Sequence, residues 1–129
     1  MNLLLKQCRL ISPDQETENA SILIENGVVK RIFAEGDALP SADRVMDVKG
    51  AMTMPGFIDV HCHGKSGFDF NDATDEAMET IGKDKLKEGV TSFLPTTLTL
   101  PEDLLIRALQ TAAAYVKKGV KEIGRASCR

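Results

Sequence analysis

The chain is poorest in what would mark a nucleic-acid or membrane partner. Its 16 lysines and arginines are outnumbered by 19 aspartates and glutamates, for a net charge of −3. Phosphate backbones and anionic headgroups both reward clustered Lys and Arg, so neither nucleic acid nor a membrane is expected as a partner. No apolar stretch approaches the ~20 residues of a membrane-crossing helix. Residues 1–11 carry an apolar trio but no basic leader and no small-residue cleavage site, so a strand is expected there rather than a secretion signal. Cysteine is scarce as well. Cys8, Cys62 and Cys128 are too few and too scattered for a disulfide framework, which suits a reduced, cytoplasmic protein. Histidine is scarcer still, and His61 and His63 are the only two.

Two familiar binding loops are missing too. Gly64-Lys65-Ser66-Gly67 lacks the glycine-to-lysine spacing of a nucleotide phosphate loop. Asp69 and Asp72 lack the spacing of a calcium-binding loop. A flexible loop lining a pocket is the better expectation for residues 64–69.

What is present begins with strands. Asn2–Ile11 is strand-like, and Ser12-Pro13-Asp14 marks a turn. Residues 20–25 and 28–33 are apolar runs joined by Asn26-Gly27, a pair suited to the positive φ angles of a type I′ hairpin turn. A loop rich in Ala, Asp, Pro and Ser follows at 35–43. Residues 44–48 and 51–54 suggest a second small hairpin around Lys49-Gly50. Helical periodicity is missing from this part.

After Pro55 the pattern changes to alternating strand and helix. Residues 57–63 form a short apolar run that reads as a buried strand. Thr74 can cap a helix whose apolar stripe is Met78, Ile81 and Leu86, with Gly89 to end it. Residues 90–97 read as a second strand. Thr99 to Glu102 has the spacing of a capping box. The helix it opens carries Leu104, Leu105, Ala108, Leu109, Ala112, Tyr115 and Val116, and Gly119 ends it. Residues 120–123 begin a third strand. This order implies an α/β fold with parallel strands and outer helices.

The chemistry concentrates at the end of the 57–63 strand. A strand period of two puts Asp59, His61 and His63 on one face and Ile58, Val60 and Cys62 on the other. Neutral imidazoles are good ligands for Zn²⁺ or Fe²⁺. Two of them do not hold a catalytic ion tightly, so further ligands are expected from elsewhere. Asp59 is read either as orienting a histidine or an adjacent loop, or as capping local backbone donors. Lys65 is read as meeting an anionic substrate or as simply solvated. Thr96 and Thr97, at the end of the second strand, are placed to touch a ligand or to cap the next turn. Cys62 is read as a buried, small apolar residue and not a ligand.

These residues carry a resemblance. Pro55-Gly56-Phe57-Ile58-Asp59-Val60-His61-Cys62-His63-Gly64 resembles the first barrel strand of the amidohydrolase superfamily. Gly67-Phe68-Asp69 and Gly89-Val90-Thr91-Ser92-Phe93-Leu94-Pro95-Thr96-Thr97 narrow the likeness to its deacetylases of amino-sugar phosphates. The likeness runs over residues 1–123. It implies a β-sandwich portion at 1–53, followed at 54–123 by the first βα units of an incomplete (β/α)₈ barrel, a fold that needs ~250 residues. Residues 124–129 then read as a truncation tail unrelated to the natural continuation.

The resemblance further implies a divalent-metal hydrolase, with one or two ions (zinc or iron), acting on a small amino-sugar phosphate. His61 and His63 would serve the second metal position. The main ligands, a glutamate and two histidines, and the acid/base aspartate would lie C-terminal to this chain, which alone is expected to be inactive. Such enzymes are usually homodimers. A dihydroorotase-like or other cyclic-amide hydrolase is the runner-up, and a non-catalytic β-rich assembly module is the reading from another class. An incomplete barrel exposes apolar edges and helix faces. Size-exclusion chromatography is therefore expected to show association, and a monomer with a cooperative melt would overturn the incomplete-barrel reading.

Overall fold

Residues 1–118 are described by the computed structural model, and they fall into two compact units, Met1–Pro55 and a second that begins at Gly56. The first unit is built from strands alone: β1 (Asn2–Ile11), β2 (Glu16–Glu25), β3 (Val28–Phe33), β4 (Arg44–Asp47) and β5 (Met52–Thr53). β1 pairs antiparallel with β2, and β2 with β3. Asn26 and Gly27 take φ of 51° and 80°, the left-handed pair that a type I′ turn needs. β2 starts four residues earlier than its apolar run suggests, because Glu16 and Thr17 still pair with Ile11 and Leu10.

The second hairpin does not form. Lys49 and Gly50 do turn, with φ of 53° and 78°, but β4 and β5 both run parallel to β1. The cause lies in β1. Gln7, at φ 56°, is an extra residue in that strand, and the 48–51 turn sits opposite it. Val48 donates to the Lys6 carbonyl at 3.0 Å, Gly50 to the Gln7 carbonyl at 2.7 Å, and Arg9 donates to the Ala51 carbonyl at 3.1 Å. A hairpin between β4 and β5 would leave those groups of β1 without their partners.

The bulge also changes which side chains share a face. Cys8 and Leu10 join Ala20 and Ile22 in one cluster, with Leu5 packed against it. Leu4, Leu23 and Phe33 form a second cluster, against which Ala42 of the following loop packs. Among the described residues this unit holds one sheet, so the facing sheet of a sandwich is not seen.

In the second unit, β6 (Phe57–Cys62) pairs parallel with β9 (Val90–Pro95). Between them lie a two-stranded ribbon, β7 (Gly64–Lys65) and β8 (Phe68–Asp69), a 3₁₀ turn at Phe70–Asp72, and α1 (Asp75–Lys87). The ribbon replaces the flexible loop expected at 64–69. It turns through Ser66 and Gly67, at φ 56° and 84°. The N-terminal end of the 3₁₀ turn is closed by a reciprocal capping box, Asp69 accepting from the Asn71 amide and Asp72 from the Asp69 amide. Thr74 caps α1 as expected, accepting from the Ala77 amide at 3.2 Å.

α2 (Glu102–Lys118) begins later than the capping-box spacing implies. Its first bond is Leu105 N–H to the Pro101 carbonyl, at 3.0 Å. A cap at Thr99 would force Leu100 into helical angles directly before a proline, which the proline ring disfavours. The buried stripe of α2 is also narrower than expected. Ala108 and Ala112 are buried, Leu105, Tyr115 and Val116 are half-buried, and Leu104 and Leu109 are exposed.

Both helices meet one core of Cys62, Phe70, Met78, Ile81, Phe93 and Ala112, in which the Phe70 and Phe93 rings stack at 5.7 Å. Cys62 is buried as expected. The rest of β6 is not the buried strand its composition suggests, since Ile58 and Val60 are 70% and 68% exposed. The helices cover the side of the strand that Cys62 and Asp59 reach, and Ile58 and Val60 lie outside that cover. The expected third strand at 120–123, the helix stop at Gly119 and the tail at 124–129 lie outside the described residues.

Ile81→Ala is expected to cost about 2–5 kcal/mol in urea denaturation, whereas Ile58→Ala should stay within about 0.5 kcal/mol. Gly64 tests the ribbon. A Cβ there would stand 2.0 Å from the Phe68 carbonyl oxygen, so Gly64→Ala should destabilise by about 1–3 kcal/mol in the same measurement.

Candidate metal centre

The two histidines meet at the C-terminal end of β6. Their Nε2 atoms are 3.0 Å apart, and the rings lie nearly perpendicular with centroids 4.8 Å apart. Each is held differently. His63 Nδ1 lies 2.9 Å from the Thr96 carbonyl oxygen, which can only accept, so the proton sits on Nδ1 and the lone pair on Nε2. Thr96 also accepts from the Cys62 amide through Oγ1 at 3.2 Å and donates its own amide to the Cys62 carbonyl at 2.8 Å. It therefore locks the strand end and the His63 tautomer together.

The separation fits an ion. Two nitrogens, each ~2.0–2.1 Å from one zinc, stand about 2.9–3.4 Å apart for bond angles between a right angle and the tetrahedral value. A carbonyl accepting from the far ring nitrogen is the usual brace of a metal-binding histidine. Without an ion, the same 3.0 Å suits a hydrogen bond from His61 Nε2–H to His63. Among the described residues no group of three or more His, Cys, Asp or Glu side chains converges as a metal cage. Among the described residues the arrangement thus offers two imidazole nitrogens, and a tightly held ion needs more ligands than two.

Asp59 does not follow the simple alternation. The pairing of β6 with β9 slips between Asp59 and Cys62, and the Asp59 carboxylate meets α1, the helix that covers Cys62. Its Oδ2 accepts from Lys85 Nζ at 2.7 Å and its Oδ1 from the His61 amide at 3.1 Å. The Lys85 hydrogen bond, with help from the His61 amide, holds the Asp59 carboxyl below its ordinary range. In return, the hydrogen bond to Asp59 raises the Lys85 ammonium. Lys85 was not among the residues singled out from the sequence. The available signal was its place in the Met78, Ile81, Lys85 stripe, which aims a lysine along the buried face of α1.

Lys65 lies on the ribbon, paired with Glu88 at 2.5 Å. The neighbouring Ser66 hydroxyl donates to Asp84 of α1. Thr97 is half-buried beside Thr96. The structure therefore brings His61, His63, Asp59 and Thr96 into one connected cluster, with Lys65 tied separately to the residue that follows α1.

No protein-family model matches the chain. Curated N-acetylglucosamine-6-phosphate deacetylases match it at 28–32% identity. The one from Lysinibacillus sphaericus is 32% identical over 108 residues, which is 84% of this chain and 27% of that protein. A dihydroorotase from Syntrophus aciditrophicus is 29% identical over 95% of this chain and 27% of its own length. Among solved structures, an aspartate-to-alanine variant of the Mycobacterium smegmatis N-acetyl-D-glucosamine-6-phosphate deacetylase, in complex with N-acetyl-D-glucosamine-6-phosphate, superposes with a TM-score of 0.77. It shares 25% identity, over 92% of this chain and 30% of that one. The chain spans a little over a quarter of the length of the curated relatives it matches. By sequence and by fold, it is a homologue of the N-acetylglucosamine-6-phosphate deacetylases and belongs to the amidohydrolase superfamily.

Proposed function

We propose that this chain is the N-terminal portion of a metal-dependent hydrolase that releases acetate from N-acetylglucosamine 6-phosphate and leaves glucosamine 6-phosphate. The observation that carries the reading is the pair of Nε2 atoms 3.0 Å apart at the C-terminal end of a parallel strand, the end at which barrel enzymes of this kind place their sites. Residues 1–53 are then part of a β-sandwich, and residues 54–123 are the first βα units of a (β/α)₈ barrel. The remaining ligands and the acid/base group belong to later barrel strands outside this chain.

A bound divalent ion, zinc or iron, singly or as a pair, polarises an amide carbonyl and makes water nucleophilic near neutral pH. The residues of this chain hold and orient. His63, with its proton fixed on Nδ1 by the Thr96 carbonyl, presents a lone pair at Nε2. His61 presents the second from the same strand end. Thr97 and the ribbon lysine Lys65 line the pocket, and Lys65 exchanges its Glu88 partner for the sugar phosphate. The working protein is a cytoplasmic homodimer, with the neighbouring subunit sharing the phosphate contacts. The complex of the Mycobacterium smegmatis relative with N-acetyl-D-glucosamine-6-phosphate supports this substrate class.

The dihydroorotase match supports a second reading, a cyclic-amide hydrolase with the same strand and a different downstream ligand set. Dihydroorotate ring opening by the longer protein, without acetate release, would favour it.

The purified 129-residue chain is expected to bind Zn²⁺, to lose that binding in the His61→Ala/His63→Ala double variant, and to release no acetate from N-acetylglucosamine 6-phosphate. Turnover by this chain alone, or a double variant that binds zinc as well as the parent, would overturn the reading.

A further inference from the structure

The slip in the β6–β9 pairing creates a local need. Where Asp59 gives way to Cys62 the ladder is out of register, so sheet hydrogen bonding alone does not set the backbone of His61. The Asp59 carboxylate takes over that role by accepting from the His61 amide at 3.1 Å. A carboxylate on a flexible two-bond stem positions a backbone only if it is itself held. Lys85 holds it, with Nζ 2.7 Å from the other oxygen. Both side chains are largely covered, at 14% exposure for Lys85 and 25% for Asp59, so the pair is less screened than a surface bridge.

Lys85 follows Ile81 by four residues, and Ile81 is fully buried in the core with Cys62. The base of the lysine is therefore anchored on a packed helix. A continuous connection runs from the core through α1, Lys85 and Asp59 to the His61 amide. His63 is braced by a separate route, through Thr96. The two imidazoles are thus braced from different elements, and each must be placed within about 0.5 Å to share one ion.

We propose that Lys85, acting through Asp59, is a positioning residue for His61, and thereby sets the affinity of the imidazole pair for a divalent cation. The proposal rests on the reading of His61 and His63 as metal ligands.

The test is Zn²⁺ affinity of the full 129-residue chain, measured by competition with a chromophoric chelator, with melting of each metal-free variant in parallel. Lys85→Met should weaken binding by roughly tenfold or more, and Lys85→Arg should recover most of it. In a His61→Ala background, Lys85→Met should change nothing further. If Lys85→Met does not fold, Asp59→Asn supplies the comparison, because it keeps an oxygen for the His61 amide and loses the ion pair. The inference is overturned if His61→Ala abolishes binding while Lys85→Met leaves it unchanged. It is also overturned if the Lys85→Met loss persists in full in the His61→Ala background, which would mark a general structural effect. Unchanged binding in His61→Ala would instead sink the underlying metal reading.

Discussion

The parallel pairing of β6 with β9 is the constraint on which the site depends. Its C-terminal end is closed by Thr96, which exchanges backbone and side-chain hydrogen bonds with Cys62 and accepts from the His63 ring. Cys62 and Phe93, one from each strand, sit in the same core with Met78 and Ile81 of α1. Burying these apolar groups holds the two strand ends together, and the histidine placement follows from that. Without β9, His63 would lose both the carbonyl that fixes its tautomer and the neighbour that fixes its strand.

Irregularity is used purposefully in both units. In the first, one extra residue at Gln7 re-aims β1 so that Leu5, Cys8 and Leu10 serve the same cluster, and it creates the opening that the 48–51 turn fills. In the second, a slip between Asp59 and Cys62 turns a carboxylate toward α1. Bulges of this kind redirect side chains at small cost in pairing. In each case displaced backbone groups find partners outside the ordinary ladder.

The exposed apolar residues of β6 and α2 have a common origin. Ile58 and Val60, like Leu104 and Leu109, have compositions suited to burial on more than one side. In the described residues, two strands and two helices supply only one packed interface. A parallel strand pair covered on one side leaves the remaining apolar surface in water, which a larger α/β layer structure would bury.

Much of this was legible in the residues themselves. The Asn26-Gly27 turn, the Thr74 cap, the burial of Cys62 and the nearness of His61 to His63 are local consequences of backbone angles, capping chemistry and the two-residue strand period. Such effects act within a few residues and need no partner. The parallel course of β4 and β5, the late start of α2, the Asp59–Lys85 pair and the exposure of Ile58 were decided by tertiary structure. Each depends on what a distant segment offers: a bulge forty residues away, a helix twenty-six residues on, or the absence of cover over a strand. Local propensity is silent on those, because hydrogen-bond satisfaction and burial are settled between segments and not within them.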